Sequence, residues 1–296
     1  MDGIFNVLKP PGMTSQDVVA CLRRTLATKK IGHGGTLDPD AAGVLPVFAG
    51  TATRLLEYAL EGDKEYIAQF TLGQQTDTGD DSGRVIAEAE VPANLGELLE
   101  QTLPSFLGKQ LQVPPMYSAL KVQGKKLYEL ARQGVEIERQ PREIELTRLD
   151  LLEVGPRSFT VKIACSKGTY IRVLGEDICK ALGSCGTMTF LLRSRVGGFR
   201  VEEAKTLQEI AAAPLDCCSS PLAAVEQLPR LTLTGRQADR ITNGVRTTVQ
   251  GAESGLYALL SPEGAFLGLG RCQEGRIKAE KILQRYIFAE DKDGNN

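Results

Sequence analysis

The chain has 296 residues with 42% apolar and 24% charged side chains, which predicts a globular protein with one large core and a small second domain, or two ordinary domains. One histidine and seven cysteines without a C-x-x-C pair argue against histidine-based zinc sites and disulfide frameworks. No apolar run reaches the roughly 18 residues of a membrane helix and no secretory signal is apparent, so we expect a cytoplasmic protein without a membrane span; the net charge of −2 does not by itself favour a nucleic-acid partner.

Apolar periodicity and turn residues predict strands and helices mixed along the chain. In chain order they predict a strand at 4–8, a helix from Thr14 or Ser15 to Leu26, a glycine-rich loop at 31–39, a small-residue stretch to residue 50, and a helix opened by Thr51 or Thr53. A strand at 66–72, an acidic turn at 76–83, a strand at 85–89 and a helix at 95–107 follow.

The second half continues the mixture. The patterns predict a short helix at 127–132, strands at 144–152 and 159–165, a helix at 169–182 that ends at Gly183, and a strand at 190–199. Beyond a boundary near 221–229, short strands and many glycines predict a small β-rich module, and the tail 290–296 is expected to be disordered. The lack of βαβ alternation favours the α+β class.

Charge is distributed unevenly along the chain. Residues 61–100 are strongly acidic, whereas stretches near 23–30, 109–142 and 162–200 are basic. Binding to phosphate depends on local rather than total charge, so a nucleic-acid partner stays open beside ordinary solvated surface.

Three segments could carry chemistry. The loop I-G-H-G-G-T-L-D-P holds His33 and Asp38 among glycines, and its alternative interpretation is a structural turn. The D-T-G of 77–79 lacks the second motif that aspartic proteases need, so we interpret it as a solvated turn. In S-K-G-T-Y-I-R, Arg172 could hold a carboxylate ionised, or it could be a surface arginine beside a half-buried Tyr170.

Five segments in order resemble the bacterial tRNA pseudouridine-55 synthase family. They are K-P-P-G-M-T-S (9–15), K-K-I-G-H-G-G-T-L-D-P with G-V-L-P (29–46), L-G-Q-Q-T-D-T-G-D-D-S-G (72–83), V-P-P-M-Y-S-A-L-K with G-K-K-L-Y-E-L-A-R-Q-G (113–134), and C-S-K-G-T-Y-I-R (165–172). One departure is Gly34, which stands where the family usually has threonine.

The resemblance implies a fold and a domain organisation. The fold is the α+β pseudouridine synthase fold, with a mixed, mostly antiparallel central sheet flanked by helices. Residues 1–228 would form the catalytic domain, with an RNA-binding insertion at 114–142. Residues 229–289 would form a small β-rich, PUA-like RNA-binding domain.

The resemblance also implies roles for individual residues. Asp38 would be the catalytic carboxylate, held by Arg172, and Tyr66 would stack on the target base and take part in proton removal. Tyr170 and Leu192 would line the uracil pocket. His33 would help to hold the rearranged RNA loop rather than act as a base.

The implied activity is isomerisation of uridine to pseudouridine at position 55 in the T-loop of tRNA. The C1′–N1 bond breaks, the uracil rotates and a C1′–C5 bond forms, with neither cofactor nor metal. Asp38 either attacks C1′ or assists departure of uracilate to leave a glycal, and the sequence leaves both paths open.

The expected partner is the T-arm stem-loop of tRNA, bound by a monomer that needs no protein partner. The alternatives are a non-catalytic RNA-binding protein or tRNA folding chaperone of the same fold, and a carboxylate-dependent glycosidase. A glycosidase would need a second acid at a defined distance from Asp38, and the sequence names none.

Overall fold

The structure is a computed structural model that describes residues 1–59, 62–118, 120–122, 124–131 and 133–287. The predicted disordered tail and the last two residues of the predicted C-terminal domain therefore lie outside the described residues.

Residues 3–225 form the larger of two units, and strands and helices alternate irregularly along it. Its strands are β1 (Gly3–Lys9), β2 (Ile31–His33), β3 (Ala42–Ala49), β4 (Lys64–Leu72), β5 (Gln74–Thr76), β6 (Val85–Glu88), β7 (Gly108–Gln112), β8 (Lys121–Val122), β9 (Lys125–Lys126), β10 (Arg142–Val154), β11 (Ser158–Cys165), β12 (Gly186–Val196) and β13 (Phe199–Arg200). Its α-helices are α1 (Ser15–Thr25), α2 (Leu56–Ala59), α3 (Leu95–Thr102), α4 (Leu127–Ala131), α5 (Ile171–Ala181) and α6 (Leu207–Ala212). Short 3-10 helices cover Gly50–Leu55, Leu103–Phe106, Val201–Glu203 and Pro221–Val225.

The central sheet confirms the predicted mixed, mostly antiparallel α+β architecture. In the part of the chain that the structure describes, its strand order is β1-β3-β12-β4-β11-β10-β7, with β2 paired to β3 and β13 paired to β12. The β3–β12 pairing is parallel, and the other pairings of this sheet are antiparallel. The parallel pairing of β3 with β12 brings the N-terminal part of the chain against a strand that comes much later in the sequence.

Strand β3 was not predicted as a strand. Seven of its eight residues are buried, so it lacks the alternation that reveals a half-exposed strand. It also contains Pro46, which reads as a strand breaker in isolation. The predicted helix at 95–107 is shorter than expected, because the α-helix ends at Thr102 and β7 follows a 3-10 turn.

The main core lies between the sheet and α5. It contains Phe70 and Phe159, whose ring centroids are 5.3 Å apart. Gly175 of α5 faces Phe70 so closely that a β-carbon there would lie 1.9 Å from the ring. The glycine therefore lets α5 approach the sheet, and this approach sets the position of the residues at the start of the helix.

A second, five-stranded sheet forms the C-terminal unit. It consists of β14 (Arg230–Thr232), β15 (Thr247–Thr248), β16 (Gly255–Leu260), β17 (Phe266–Gln273) and β18 (Arg276–Ile282), in the order β14-β16-β17-β18-β15, with the helix α7 (Gly235–Thr242) beside it. Leu269 of this sheet is buried in the same apolar cluster as Phe48 and Leu55 of the larger unit. The small β-rich unit thus packs against the rest of the chain.

Candidate active site

Asp38 lies on the loop between β2 and β3, and the residues on either side of it are fixed through their main chains. The Leu37 amide donates to Ser15 Oγ at 2.9 Å, and the Ser15 hydroxyl donates to the Leu37 carbonyl at 3.2 Å. The Pro39 carbonyl accepts the Gly12 amide at 2.9 Å. The loop therefore has little freedom, although it is rich in glycine.

Lys9, the last residue of β1, also holds this loop in place. Its ammonium donates to the carbonyls of Pro10, Met13 and Pro39 at 2.8, 2.6 and 2.7 Å. Its side chain is fully buried, and burial lowers the pKa of Lys9 to about 8, opposed by the charges of Asp40 and Asp38. The K-P-P-G-M-T-S segment thus supports the loop that carries Asp38.

Arg172 meets Asp38 with a two-pronged ion pair. Its Nε lies 3.0 Å from Asp38 Oδ2, and its Nη2 lies 3.3 Å from Asp38 Oδ1. The remaining donors reach the carbonyls of Thr78 at 2.7 Å and Tyr117 at 2.8 Å. Because Arg172 is buried at the start of α5, it holds the carboxylate in one orientation.

Asp80 is the functional candidate that sequence reasoning missed, because its turn was interpreted as solvated. Its carboxylate lies 3.7 Å from Arg172 Nη1 and is only 17% exposed. It is fixed by the Thr78 hydroxyl at 2.7 Å and the Ser82 amide at 3.2 Å. Asp80 therefore shares the guanidinium with Asp38. The segment that contains it was part of the family resemblance, and this was the available signal.

The pKa of the Asp38 carboxyl lies above its usual value. Burial raises it, the charge of Arg172 lowers it, and the negative charge of Asp80 raises it. We expected Arg172 to lower this pKa; it acts in that direction, but burial outweighs it. Asp38 is therefore a half-buried carboxylate whose charge is disfavoured by its surroundings and stabilised chiefly by Arg172.

Tyr66 lies on β4 opposite Arg193 of β12 and is 6% exposed. Burial raises the pKa of Tyr66 to about 12, against the effect of the Arg193 charge. The Arg193 guanidinium donates to the carbonyls of Val44 at 2.8 Å and Gly35 at 3.1 Å. Arg193 therefore links the glycine-rich loop to β12, the strand that pairs with β4 at Tyr66.

Tyr170 immediately precedes α5. Its amide donates to Gln112 Oε1 at 2.8 Å, and Gln112 Nε2 donates to the Tyr170 carbonyl at 3.1 Å. This reciprocal pair fixes the residue between β7 and the helix. Burial raises the pKa of the Tyr170 hydroxyl, which therefore stays protonated at neutral pH.

These side chains border one cavity of about 590 Å³. Asp38, Tyr66, Tyr170 and Arg172 all line it, as expected for one site assembled from distant segments. Its size is in the range of roughly 300–1,000 Å³ that is common for small-molecule sites.

Leu192 was the pocket residue expected from β12, whereas Leu191 and Arg193 are the residues of this strand that line the cavity. Alternate residues of a strand face the same side, so Leu192 points to the opposite face of β12 from Leu191. A bulge between Met188 and Phe190 shifts the register of the strand, which the sequence did not reveal. We therefore transfer the role proposed for Leu192 to Leu191.

His33 lies outside this cavity lining, on β2 opposite Val47. Its Nε2 is 3.2 Å from Gln16 Nε2, and burial, together with the Arg193 charge, lowers its pKa. The neighbouring Gly34 donates its amide to the Pro46 carbonyl at 2.7 Å. The departure from threonine at this position thus leaves the backbone of the loop anchored.

In the ranges that the structure describes, no group of three or more histidine, cysteine or acidic residues could hold a metal ion. No helix in the same ranges has the length and apolar character to span a membrane.

Two family models match segments that together cover most of the chain. Residues 23–171 match the family model described as TruB family pseudouridylate synthase, N-terminal domain. Residues 229–283 match the model described as pseudouridine synthase II TruB, C-terminal.

Curated relatives extend the match. The chain is 42% identical to tRNA pseudouridine synthase B of Caldanaerobacter subterraneus subsp. tengcongensis, over 96% of this chain and 99% of that protein. It is 46% identical to tRNA pseudouridine synthase B of Moorella thermoacetica, over 95% of this chain and 99% of that protein.

Solved structures show the same fold. A chain from an H/ACA ribonucleoprotein bound to a substrate RNA containing 2′-deoxyuridine matches with a TM-score of 0.74 and 25% identity, over 95% of this chain and 85% of that chain. A chain from a Cbf5-Nop10-Gar1 complex matches with a TM-score of 0.74 and 26% identity, over 96% and 85%. On the family models and the curated relatives together, this chain belongs to the TruB family of pseudouridylate synthases.

Proposed function

We propose that this chain isomerises uridine to pseudouridine at position 55 in the T-loop of tRNA, with Asp38 as the catalytic carboxylate. The observation that carries the assignment of Asp38 is its two-pronged ion pair with the buried Arg172, at a cavity that two tyrosines also line. The curated relatives named tRNA pseudouridine synthase B support tRNA as the substrate.

The first step of the reaction is extrusion of the target uridine. A base stacked in RNA has to be unstacked at a cost of a few kcal/mol, which is smaller in a loop than in a duplex. Tyr66 would stack on the extruded uracil, and Tyr170 and Leu191 would close the cavity around it. His33 lies outside the cavity, where it could contact the rearranged RNA loop.

The chemical step conserves every atom of the substrate. Asp38 either attacks C1′ and displaces N1 of uracil, or accepts the C2′ proton as uracilate departs to leave a glycal. The uracil then rotates and C5 bonds to C1′, which breaks the bond between C1′ and Asp38 in the first path and returns the proton to C2′ in the second. The proton on C5 leaves in a step that involves Tyr66. Both paths need Asp38 ionised, and Arg172 stabilises that ionised form.

The ion pair also bears on the alternative functions. Binding RNA alone does not require a carboxylate with a raised pKa that is held by a buried arginine, so the non-catalytic alternative leaves this arrangement unexplained. A glycosidase needs a second acid free to act on the substrate beside Asp38, whereas Asp80 contacts Arg172 and the exposed Glu143 of the cavity lining pairs with Lys109. These arguments favour the isomerase.

The remaining parts of the chain would bind RNA. We infer that residues 1–228 form the catalytic domain, that its insertion at 114–142 grips the T-arm, and that the PUA-like unit from residue 229 binds another part of the tRNA. The insertion contacts the site through the Tyr117 carbonyl on Arg172. We expect the protein to act in the cytoplasm, as a monomer without a protein partner.

The test is direct conversion of RNA by the purified chain. A T-arm stem-loop with uridine at position 55 is incubated with the protein, and pseudouridine is mapped by nucleotide. We expect conversion at position 55 and none in a stem-loop with cytidine there. Conversion at a different uridine would contradict the proposed position, and no conversion of any uridine in the stem-loop or in whole tRNA would contradict the proposed activity.

A further inference from the structure

The cavity that holds Asp38 carries more positive than negative charge. Its cationic lining residues are Lys64, Arg142, Lys167, Arg172 and Arg193, and its acidic lining residues are Asp38 and Glu143. Asp38 is paired with Arg172, and the exposed Glu143 is 3.1 Å from Lys109. The two acids of the cavity are therefore each already paired with a cation, Asp38 with Arg172 of the lining and Glu143 with Lys109 outside it.

Lys64 stands out among these cations. It is only 8% exposed, and its side chain lies on the face of β4 that also carries Tyr66. Its ammonium contacts the Gly62 carbonyl at 3.2 Å, a long and neutral hydrogen bond for a buried charge. By contrast, the fully buried Lys9 reaches three carbonyls at shorter distances.

The neutral Gly62 carbonyl does not balance the charge of the Lys64 ammonium in these surroundings. Burial lowers its pKa, the charge of Arg193 lowers it further, and the smaller effects of Cys165 and Asp63 oppose them without offsetting them. A buried ammonium beside another cation is stabilised by an anion that enters the cavity. Uridine in RNA brings such an anion, since a phosphodiester lies on each side of every nucleoside.

We propose that Lys64 forms a phosphate-binding subsite that holds a phosphodiester flanking the target uridine. Arg142 and Lys167, from other segments of the chain, add positive potential at the same cavity. The phosphate would fix the sugar relative to Asp38 while the uracil is detached and rotates. This subsite rests on the proposed function, because it assumes that a uridine of RNA enters the cavity.

The test combines a protein substitution with neutralisation of a single phosphate. Stem-loops carry one methylphosphonate, either 5′ or 3′ to the target uridine, and the half-saturating concentration and maximal rate are measured under single-turnover conditions. With the wild-type protein, we expect one of the two linkages to raise the half-saturating concentration roughly tenfold, the effect of losing one charge-assisted hydrogen bond. In Lys64→Met, the same neutralisation should change it less than twofold.

The control is Lys162→Met, which removes a lysine of β11 that pairs with Glu65 and is absent from the cavity lining. It should keep the wild-type sensitivity to the methylphosphonate. Lys64→Gln serves as a second variant if thermal unfolding shows that Lys64→Met does not fold. Lys64→Arg keeps a cation at this position, so it should show at least part of the wild-type sensitivity to the methylphosphonate.

The outcomes separate the subsite from the function itself. If Lys64→Met or Lys64→Gln keeps the full sensitivity to the same linkage, Lys64 does not bind that phosphate and the inference is overturned. The same holds if neither linkage affects the wild-type protein, or if the maximal rate falls with unchanged phosphate sensitivity. Failure of the wild-type protein to convert the unmodified stem-loop would instead contradict the proposed function.

Discussion

Asp38 and Asp80 compete for the buried guanidinium of Arg172. Arg172 contacts both carboxylates, and the negative charge of Asp80 raises the pKa of Asp38. A reaction that needs ionised Asp38 therefore loses rate as the pH falls through this raised pKa. The acid limb of the kcat/KM profile consequently reports on the environment of Asp38.

Asp80→Asn removes one charge that raises the pKa of Asp38. We expect the acid limb of kcat/KM to move to lower pH, even though loss of the contact to Arg172 lowers the overall rate. The measurement is the pH dependence of kcat/KM for pseudouridine formation. Asp77→Asn, in the same turn but bonded to the Arg84 amide, should leave the limb in place. An acid limb in Asp80→Asn that stays put or moves upward would contradict this electrostatic account.

Leu191 and Leu192 offer a matched test of the cavity register. Leu191 is buried and lines the cavity, whereas Leu192 is half-buried on the other face of β12. Leu191→Val should lower the single-turnover rate several-fold, because the detached uracil loses contact, while Leu192→Val should leave that rate near the wild-type value. The reverse order of effects would restore the original prediction. Thermal unfolding of both variants controls for the loss of a buried methylene, about 1 kcal/mol.

Some residues of the site could be predicted from the sequence, and others could not. Asp38 and Arg172 are 134 positions apart, so no local pattern links them; only the ordered family segments did. Asp80 was missed because its acidic turn has the composition of a solvated loop, and its inward orientation depends on the docking of α5. Leu192 was named from the family resemblance, which does not show which of two adjacent leucines faces the cavity; the structure has Leu191 in the lining.

At the scale of elements, the contact between α5 and the sheet places Tyr170 and Arg172. The helix lies close to the sheet at Gly175, directly over Phe70. Elements with a clear period, such as β11 and α5, were predicted from the sequence close to their observed bounds. The fully buried β3 was not, since burial on both faces removes the alternation on which the prediction depends.

Gly175→Ala tests whether this close approach matters. The new methyl would overlap the Phe70 ring, so we expect a loss of about 1–3 kcal/mol in the free energy of unfolding, despite the helix propensity of alanine. The matched control is Gly96→Ala in α3, where nothing lies within 4 Å of the added carbon, and a gain of about 0.5–1 kcal/mol is expected. Chemical denaturation measures both, and equal effects on the two proteins would contradict the packing argument.

At the scale of the whole molecule, the two units share apolar surface. Leu269 of the C-terminal sheet is buried with Phe48 and Leu55, and Lys281 Nζ lies 2.8 Å from Glu57 Oε1. The exposed ion pair contributes at most about 1 kcal/mol, so the apolar cluster provides most of the attachment. The sequence predicted a boundary near residue 228 from composition, but it could not reveal that the core continues across it.

Ending the chain after residue 228 tests this continuity. The truncated protein should unfold at a lower temperature than the full chain, because the shared cluster becomes exposed to water. Its affinity for tRNA should also fall, since the PUA-like unit is proposed to bind RNA. Calorimetry and equilibrium binding measure the two effects. An unchanged unfolding temperature would show that the catalytic unit is stable without its neighbour.

The central claim is that the carboxylate of Asp38 performs the reaction, and Asp38→Asn tests it most directly. The substitution keeps the size of the side chain and removes its charge, and Asp40→Asn, two positions away and exposed, provides the matched control. Pseudouridine at position 55 of a T-arm stem-loop is measured after single-turnover incubation with each folded variant. We predict no pseudouridine with Asp38→Asn and a near-normal yield with Asp40→Asn. Sustained conversion by purified Asp38→Asn would contradict the account.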